Sequence, residues 1–460
     1  MTARARRVAG VALRRASQAA WSAGLGLRPR GVRRAAWARA LRAACEDLGP
    51  LWIKLGQLLS VRPDLAAPEV VAELERLQDR VPPVSLEAVR AVVRAELGAP
   101  PEELFATFDP EPLAAASIAQ VHRATLAAPY RTVAGTRLPA GTPLAVKVVR
   151  PGIADAVAAD LAWARRWAAR LERNVAARRW RPRALLAEFE ASLARELDLR
   201  HEGRVADRFA RDFADDPVIV VPPVVWRHTT RRVLTTVYLE GWRLTELGPA
   251  QRAGIDARAL AVHGAEAFLR QVLEHGRFHA DLHPANLLVT PEGRIAYLDF
   301  GIVGTTTPAQ RDAIAHLLVA TAFGDPERAL RASRALGLVV PPAVEAAVRR
   351  GVDDLLRRHL AADRRLPDGT RAPSDLRGFA LGFLRLLSDV RVPIPEGYGL
   401  LVKALATVEG VARALVPDVD VLEIARPYVT RRVAVQLLRP ERLRERAGAA
   451  ARAFLHEMMA

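Results

Sequence analysis

Apolar and polar positions alternate along this chain with two periods, and the change of period divides it. Residues 35–60 carry helical periodicity and end in LGPLWIKLGQLLS. Residues 69–79 and 85–97 read as two shorter helices parted by the Pro82-Pro83 break. Residues 118–127 (IAQVHRATLA) and 143–149 (PLAVKVV) read as paired strands joined by a Pro/Gly-containing loop. Helices are expected at 153–172 and 182–204, β-branched strands at 218–225 and 232–239, and a helix at 251–275. Then come HADLHPANLLV, a short hairpin-like stretch, and IAYLDFG. From about 308 onward the pattern is almost wholly helical, interrupted at 363–374 and near Pro393–Pro395. The plan is α+β: an arm (1–34), a helical extension (35–110), a mixed lobe (111–241), a helical lobe (242–438) and a helical tail (439–460).

Composition adjusts this picture. Half of the 460 residues are hydrophobic, enough for a sizeable core. The single Cys45 excludes an intramolecular disulfide framework and fits a reducing compartment. No run of about 18 uncharged apolar residues is present, so no transmembrane helix is expected. The N-terminus also lacks a clean apolar stretch of the secretory kind. A cytoplasmic location follows as the expectation, with peripheral attachment to the inner face of the cell membrane left open. The net charge is +17, and the first acidic residue is Glu46. Before it, Arg4, Arg6, Arg7, Arg14, Arg15, Arg28, Arg30, Arg33 and Arg34 alternate with Ala, Val, Leu and two Trp. That pattern reads as a basic amphipathic arm suited to an anionic membrane surface, or as a solvated basic tail. Nucleic acid is not expected, because the arm has no aromatic stacking series.

Almost every basic residue is Arg. Lys occurs only at 54, 147 and 403, and Asn only at 174 and 286. A Lys kept in such a background marks a place where the planar guanidinium fork does not replace a compact ammonium.

Four motifs carry phosphoryl-transfer chemistry. In HADLHPAN (279–286), Asp281 precedes Asn286 by five residues, the spacing of a kinase catalytic loop. Asp281 would orient the attacking hydroxyl or water, and Asn286 would hold magnesium. Asp299, in YLDFG, would chelate magnesium bridging the phosphates. His279 is expected to brace the loop and His283 to make a structural hydrogen bond. In LAVKVVR (144–150), Lys147 lies inside an apolar strand, where an unpaired ammonium is costly. A kinase resolves this by setting the Lys against the α/β-phosphates and a helix Glu. In RELDLRHEG (195–203), Glu196 and Glu202 are six residues apart and so lie on different helix faces. Glu202 would pair with Lys147, leaving Glu196 and Asp198 for another cation.

Two further segments are less specific. The turn Ala114-Ala115-Ala116-Ser117 stands where a kinase has a Gly-rich loop, and Ala restricts positive φ there. Together with Lys147 and Glu240, which closes the 232–239 run, these four residues form the expected nucleotide-contacting set. In KLGQ, Lys54 and Gln57 share a helix face, and Gly56 points to close packing.

Taken together, these residues resemble the UbiB (AarF-like) family of atypical protein-kinase-like proteins, from about residue 35 to about 430. Lys54-Leu55-Gly56-Gln57 is similar to its KxGQ motif, and SVRPDL…LERLQDRVPP (60–83) to the stretch that follows. Residues 114–117 match its Ala-rich loop, Glu196 and Asp198 its ExD motif, His279 to Asn286 its HxDxHPxN loop, and Asp299 to Gly301 its DFG. The resemblance implies a bilobal kinase-like fold with a helical KxGQ extension. It implies ATP and Mg2+ as ligands, and a lid in which Lys54 and Gln57 meet Glu196 and Asp198. It also implies ATPase or atypical kinase activity tied to ubiquinone or related quinone-lipid metabolism at lipid surfaces. The departures are Ala119 and Ala285 in place of the family's usual Gly, the absence of a terminal pair of transmembrane helices, and the absence of an APE-like segment. Two alternatives stay open: an ATP-binding scaffold of a quinone-synthesis complex, and an aminoglycoside- or choline-type phosphotransferase.

Overall fold

The protein is described here from a computed structural model, which defines residues 3–23, 29–60, 68–74, 76–77, 81–174, 181–248, 254–360, 365, 369, 372–394 and 398–437. The chain forms two compact units, Met1–Trp242 with Leu288–Gly301, and Arg243–Leu287 with Ile302–Ala460.

The first unit is organised by an antiparallel sheet in the order Phe105–Ala115, Ala119–Leu126, Pro143–Val149, Val233–Val237. Leu144, Val146 and Val148 are at most 1% exposed, and they pack with Leu126 and Val233 against Val89, Val92 and Val93 of the helix Leu86–Leu97. That helix starts on the Ser85 side chain and ends on the left-handed Gly98. Because side chains alternate across a strand, burying these three residues sends Lys147 to the opposite face.

The paired strands 118–127 and 143–149 are present, with Lys147 opposite Val121. The strand Phe105–Ala115 was not foreseen. Its sequence, FATFDPEPLAA, carries two prolines, and it is an irregular edge strand with register shifts around Pro112. An edge tolerates proline because its outward N–H groups need no ladder partner. The expected helix 182–204 is two helices, Pro182–Glu196 and Leu199–Asp212. Asp198 causes the break: it is extended, and its side chain accepts from the Arg200 N–H as the cap of the second helix.

The basic arm is helical over Ala3–Ser22 and packs on the helix Arg30–Leu48. Asp47 takes Arg14 at 2.6 Å and Arg15 at 2.7 Å, so part of the arm's charge is used internally. Leu13 and Trp21 are 72% and 78% exposed.

The second unit is mostly helical, with Ala257–Arg270, Pro308–Phe323, Pro326–Ala335, Pro342–Leu360, Leu376–Asp389, Tyr398–Leu415 and Val421–Leu437 among its described helices. The expected 251–275 helix is Ala257–Arg270 followed by a π-turn at Gln271–His275, and residues 251–253 lie outside the described ones. The strand Arg277–His279 pairs antiparallel with Val303–Thr305. Buried Glu409 accepts from the N–H groups of Leu376 and Arg377 and pairs with Arg413 at 3.0 Å, fixing the helix Tyr398–Leu415 to the start of its neighbour. Among the described residues, no helix is long and apolar enough to cross a membrane. The expected tail 439–460 and part of the 60–83 stretch lie outside the described residues.

Candidate active site

In the first unit, three elements converge on Lys147. Its ammonium lies 2.8 Å from each carboxylate oxygen of Glu202 and 3.4 Å from Asp299 Oδ2. Glu202 is in the first turn of the helix Leu199–Asp212. That helix comes close to the sheet at Gly203, where a Cβ would stand 3.2 Å from Trp226 and 3.3 Å from Leu234. Two turns further on, Phe209 packs on buried Phe300 at 5.2 Å. Phe300 also donates its backbone N–H to Glu202. Asp299 follows the strand Ile295–Tyr297, which runs parallel to Ile219–Val220, and Asp299 Oδ1 accepts from the Gly301 N–H at 2.8 Å.

Burial opposes every charge here. It pushes Glu202 up against the pull of Lys147. It also lowers Lys147, but Asp299 and Glu202 outweigh it, and the ammonium is held above its ordinary value. The strand lysine is therefore fully charged near neutrality, with both oxygens of Glu202 in contact with it.

A second pair lies on the extension. Lys54 of the helix Pro50–Ser60 is 3.4 Å from Glu196. A Cβ at Gly56 would come 2.4 Å from Leu77 Cδ1, so any larger residue there would force the Leu77 side chain to move. Cys45, Ile53, Leu74 and Leu77 form that support. Gln57 is half-buried on the same helix. Asp198 is placed elsewhere: it caps the next helix and forms a two-point pair with Arg200 at 3.1 and 3.2 Å. The expected Lys54 contact is therefore with Glu196, and the helix break assigns Asp198 to Arg200.

The Ala-rich turn closes through the Ala116 N–H to the Ala119 carbonyl at 2.8 Å. None of residues 114–119 has a positive φ, so alanine fits without strain. Arg150 braces the turn, donating to the carbonyls of Ala116 at 3.1 Å and Pro82 at 2.7 Å. Sequence reasoning did not single out Arg150, because its value lies in reaching two distant carbonyls. Glu240 is exposed, 3.9 Å from Arg123.

In the second unit, the HADLHPAN loop is held by its own polar groups. His279 is 1% exposed; its N–H donates to Gln271 Oε1 at 2.9 Å and its Nδ1 accepts from the Asp281 N–H at 3.1 Å. His283 Nδ1 accepts from the Ala285 N–H. Asn286 Nδ2 donates to the Asp281 carbonyl at 3.1 Å, which leaves the Asn286 side-chain oxygen as an acceptor. The Asp281 carboxylate meets Lys403 at 2.8 Å. Gln271 and Lys403 also went unassigned in the sequence, although the rarity of lysine was a signal for the second.

A strand lysine clamped by a helix glutamate, a DFG aspartate and an HADLHPAN loop with its asparagine folded back define a protein of the protein-kinase-like class. The ABC1 atypical kinase-like domain matches residues 76–333, more than half of the sequence, and the chain belongs to that family. It is 34% identical over 401 residues to "Probable protein kinase UbiB" of Marinobacter nauticus, covering 85% of this chain and 69% of that protein. It is 35% identical over 404 residues to "Uncharacterized protein sll1770" of Synechocystis, covering 87% and 65%. It is 33% identical over 438 residues to "Protein ACTIVITY OF BC1 COMPLEX KINASE 8, chloroplastic" of Arabidopsis thaliana, covering 89% and 55%. The chain thus spans between about half and two thirds of these relatives' own length. A solved structure, the Rv3197–erythromycin complex from Mycobacterium tuberculosis, is 21% identical with a TM-score of 0.43 and covers 79% of this chain and 91% of that chain.

Proposed function

We propose that this protein is an atypical kinase or ATPase that binds Mg-ATP and supports isoprenoid-quinone lipid metabolism at a membrane surface. The observation that carries the nucleotide reading is the two-oxygen clamp of Glu202 on Lys147, with Asp299 3.4 Å away. A partly buried ammonium held in this way is a preorganised partner for nucleotide phosphates. Each unit offers a hard oxygen of the kind magnesium prefers: the Asp299 carboxylate, 44% exposed, in the first and the Asn286 side-chain oxygen in the second. When bound, magnesium supplies charge neutralisation on the phosphates. Asp281 orients the attacking hydroxyl or water and takes its proton, and Lys147 holds the nucleotide phosphates. Glu202 keeps Lys147 in place.

The quinone-lipid assignment rests on the UbiB resemblance. Surface attachment is supported by exposed Leu13 and Trp21 among the arginines of Ala3–Ser22, a pattern suited to anionic lipid. Mg-dependent ATP hydrolysis by the wild type, raised by anionic liposomes and abolished in Asp281→Asn, is the expected result. Turnover unchanged in Asp281→Asn contradicts the reading, and tight ATP binding without any turnover reassigns the protein as a scaffold.

A further inference from the structure

All three lysines of the chain end on a carboxylate. Lys54 reaches Glu196 at 3.4 Å, Lys147 reaches Glu202 at 2.8 Å, and Lys403 reaches Asp281 at 2.8 Å. The lysine side chains are only 19%, 24% and 31% exposed, in that order. In a sequence with 68 Lys and Arg residues, arginine serves almost everywhere else. The first two lysines belong to motifs already discussed. The third does not, yet it pairs directly with the catalytic-loop aspartate at 2.8 Å.

We propose that Lys403 is a positioning residue for Asp281: its ammonium fixes the direction of the Asp281 carboxylate on the catalytic loop. This rests on the nucleotide-hydrolysis or phosphoryl-transfer reading above. Both partners sit on rigid supports within one unit. On one side, His279 Nδ1 and the Asn286 amide hold the backbone N–H and carbonyl of Asp281. On the other, Lys403 lies in the helix Tyr398–Leu415 between Val402 and Ala404, 6% and 0% exposed, and Glu409 ties that helix to its neighbour. The loop's hydrogen bonds hold the backbone of Asp281, and Lys403 holds its carboxylate. Here the ammonium meets Asp281 Oδ1, which leaves Oδ2 for the acceptor, whereas a planar fork at the same position tends to take both oxygens. That is a physical reason for lysine at 403 in an arginine-rich chain. A general base misplaced by an ångström loses rate rather than substrate affinity.

The test measures ATP hydrolysis by the full chain with Mg2+ for the wild type, Lys403→Met, Lys403→Arg and Asp281→Asn, with a thermal melt of each. The expected result for Lys403→Met is kcat lower by about tenfold or more with the KM for ATP within about twofold of wild type. Lys403→Arg is expected to fall between the two. A Lys403→Met enzyme with kcat within about twofold of wild type overturns the proposal, as does a loss that lies wholly in KM. If Lys403→Met does not fold, Lys403→Arg decides, and full kcat in that variant overturns the proposal. An active wild type with an inactive Asp281→Asn and an unaffected Lys403→Met contradicts the role of Lys403 alone. A wild type without turnover contradicts both the role and the reading it rests on.

Discussion

Two lysine–glutamate pairs stand in the first unit, on glutamates separated by a single helix break, and they are built differently. Lys147 meets both oxygens of Glu202 at 2.8 Å, and the Glu202 side chain is 8% exposed. Lys54 meets Glu196 at 3.4 Å, with side chains 19% and 13% exposed. The first pair joins a sheet strand to a helix pinned by Phe300, so it is part of how the unit holds together. The second joins the KLGQ helix to the end of Pro182–Glu196, over a small cluster around Cys45. The difference teaches that two glutamates of one short segment serve a short, buried, two-oxygen clamp and a longer, single-contact latch.

The comparison breaks most sharply at Glu202. Glu202→Ala leaves Lys147 with Asp299 alone and is expected to cost about 3 kcal/mol of stability and to abolish ATP turnover. Thermal unfolding with an ATPase assay checks both. A melt within a degree or two of wild type would show that the pair is not a structural clamp.

The next effect separates the two faces of the sheet by pH. On the core side, His228 is 4% exposed and packs edge-on to Phe105 at 4.9 Å. Burial, reinforced by Arg227, pushes its imidazole down to about 4. The unfolded chain therefore takes up a proton that the folded one refuses. Stability from this group is complete above pH about 6.5 and is lost as pH falls toward about 4, by about 2–3 kcal/mol. On the site side, burial raises Glu202, so its contribution has the opposite sign and is lost as pH rises above the ordinary glutamate value. Lys147, held high, loses its contribution only in alkali. The predicted quantity is the stability of wild type minus that of His228→Phe in denaturant melts, which falls by about 2–3 kcal/mol from pH 6.5 to 4. A difference that does not change with pH contradicts burial as the cause.

The latch gives the smaller effects. At Gly56 an alanine gains about 1 kcal/mol of helix propensity. Its Cβ, however, falls 2.4 Å from Leu77 Cδ1 and 3.3 Å from Leu74 Cδ2. Overpacking of this kind costs about 1–3 kcal/mol, so Gly56→Ala is expected to be less stable by about 1 kcal/mol. Lys54→Met is expected to change stability by less than about 1 kcal/mol, since a long, partly exposed ion pair contributes little. Its effect should appear in ATP turnover instead. A stability loss for Lys54→Met as large as that of Glu202→Ala would erase the distinction.

The sequence was most legible where chemistry is local. HADLHPAN and YLDFG close their hydrogen bonds within five residues, and Leu-Ala-Val-Lys-Val-Val shows the face of Lys147 through strand alternation alone. It was least legible where a long-range contact does the work. Gln271 bonds to His279 only because a π-turn directs it there, and Arg150 spans from the strand end to Pro82. The helix break at Asp198 was written in the sequence as a capping residue inside an apparently continuous helix, and periodicity outweighed it. The strand Phe105–Ala115 was hidden by prolines that only an edge position permits. The resemblance to UbiB led to Lys54 and Glu196, but geometry rather than motif sent Asp198 to Arg200.

The most direct test of the central claim is calorimetric binding of ATP with and without Mg2+, comparing wild type with Asp299→Asn. Asp299 is 44% exposed, so the variant is expected to fold. The account predicts Mg-dependent binding to the wild type and an affinity lower by about tenfold or more in Asp299→Asn. No ATP binding to the wild type, or an affinity indifferent to both magnesium and the substitution, would contradict it.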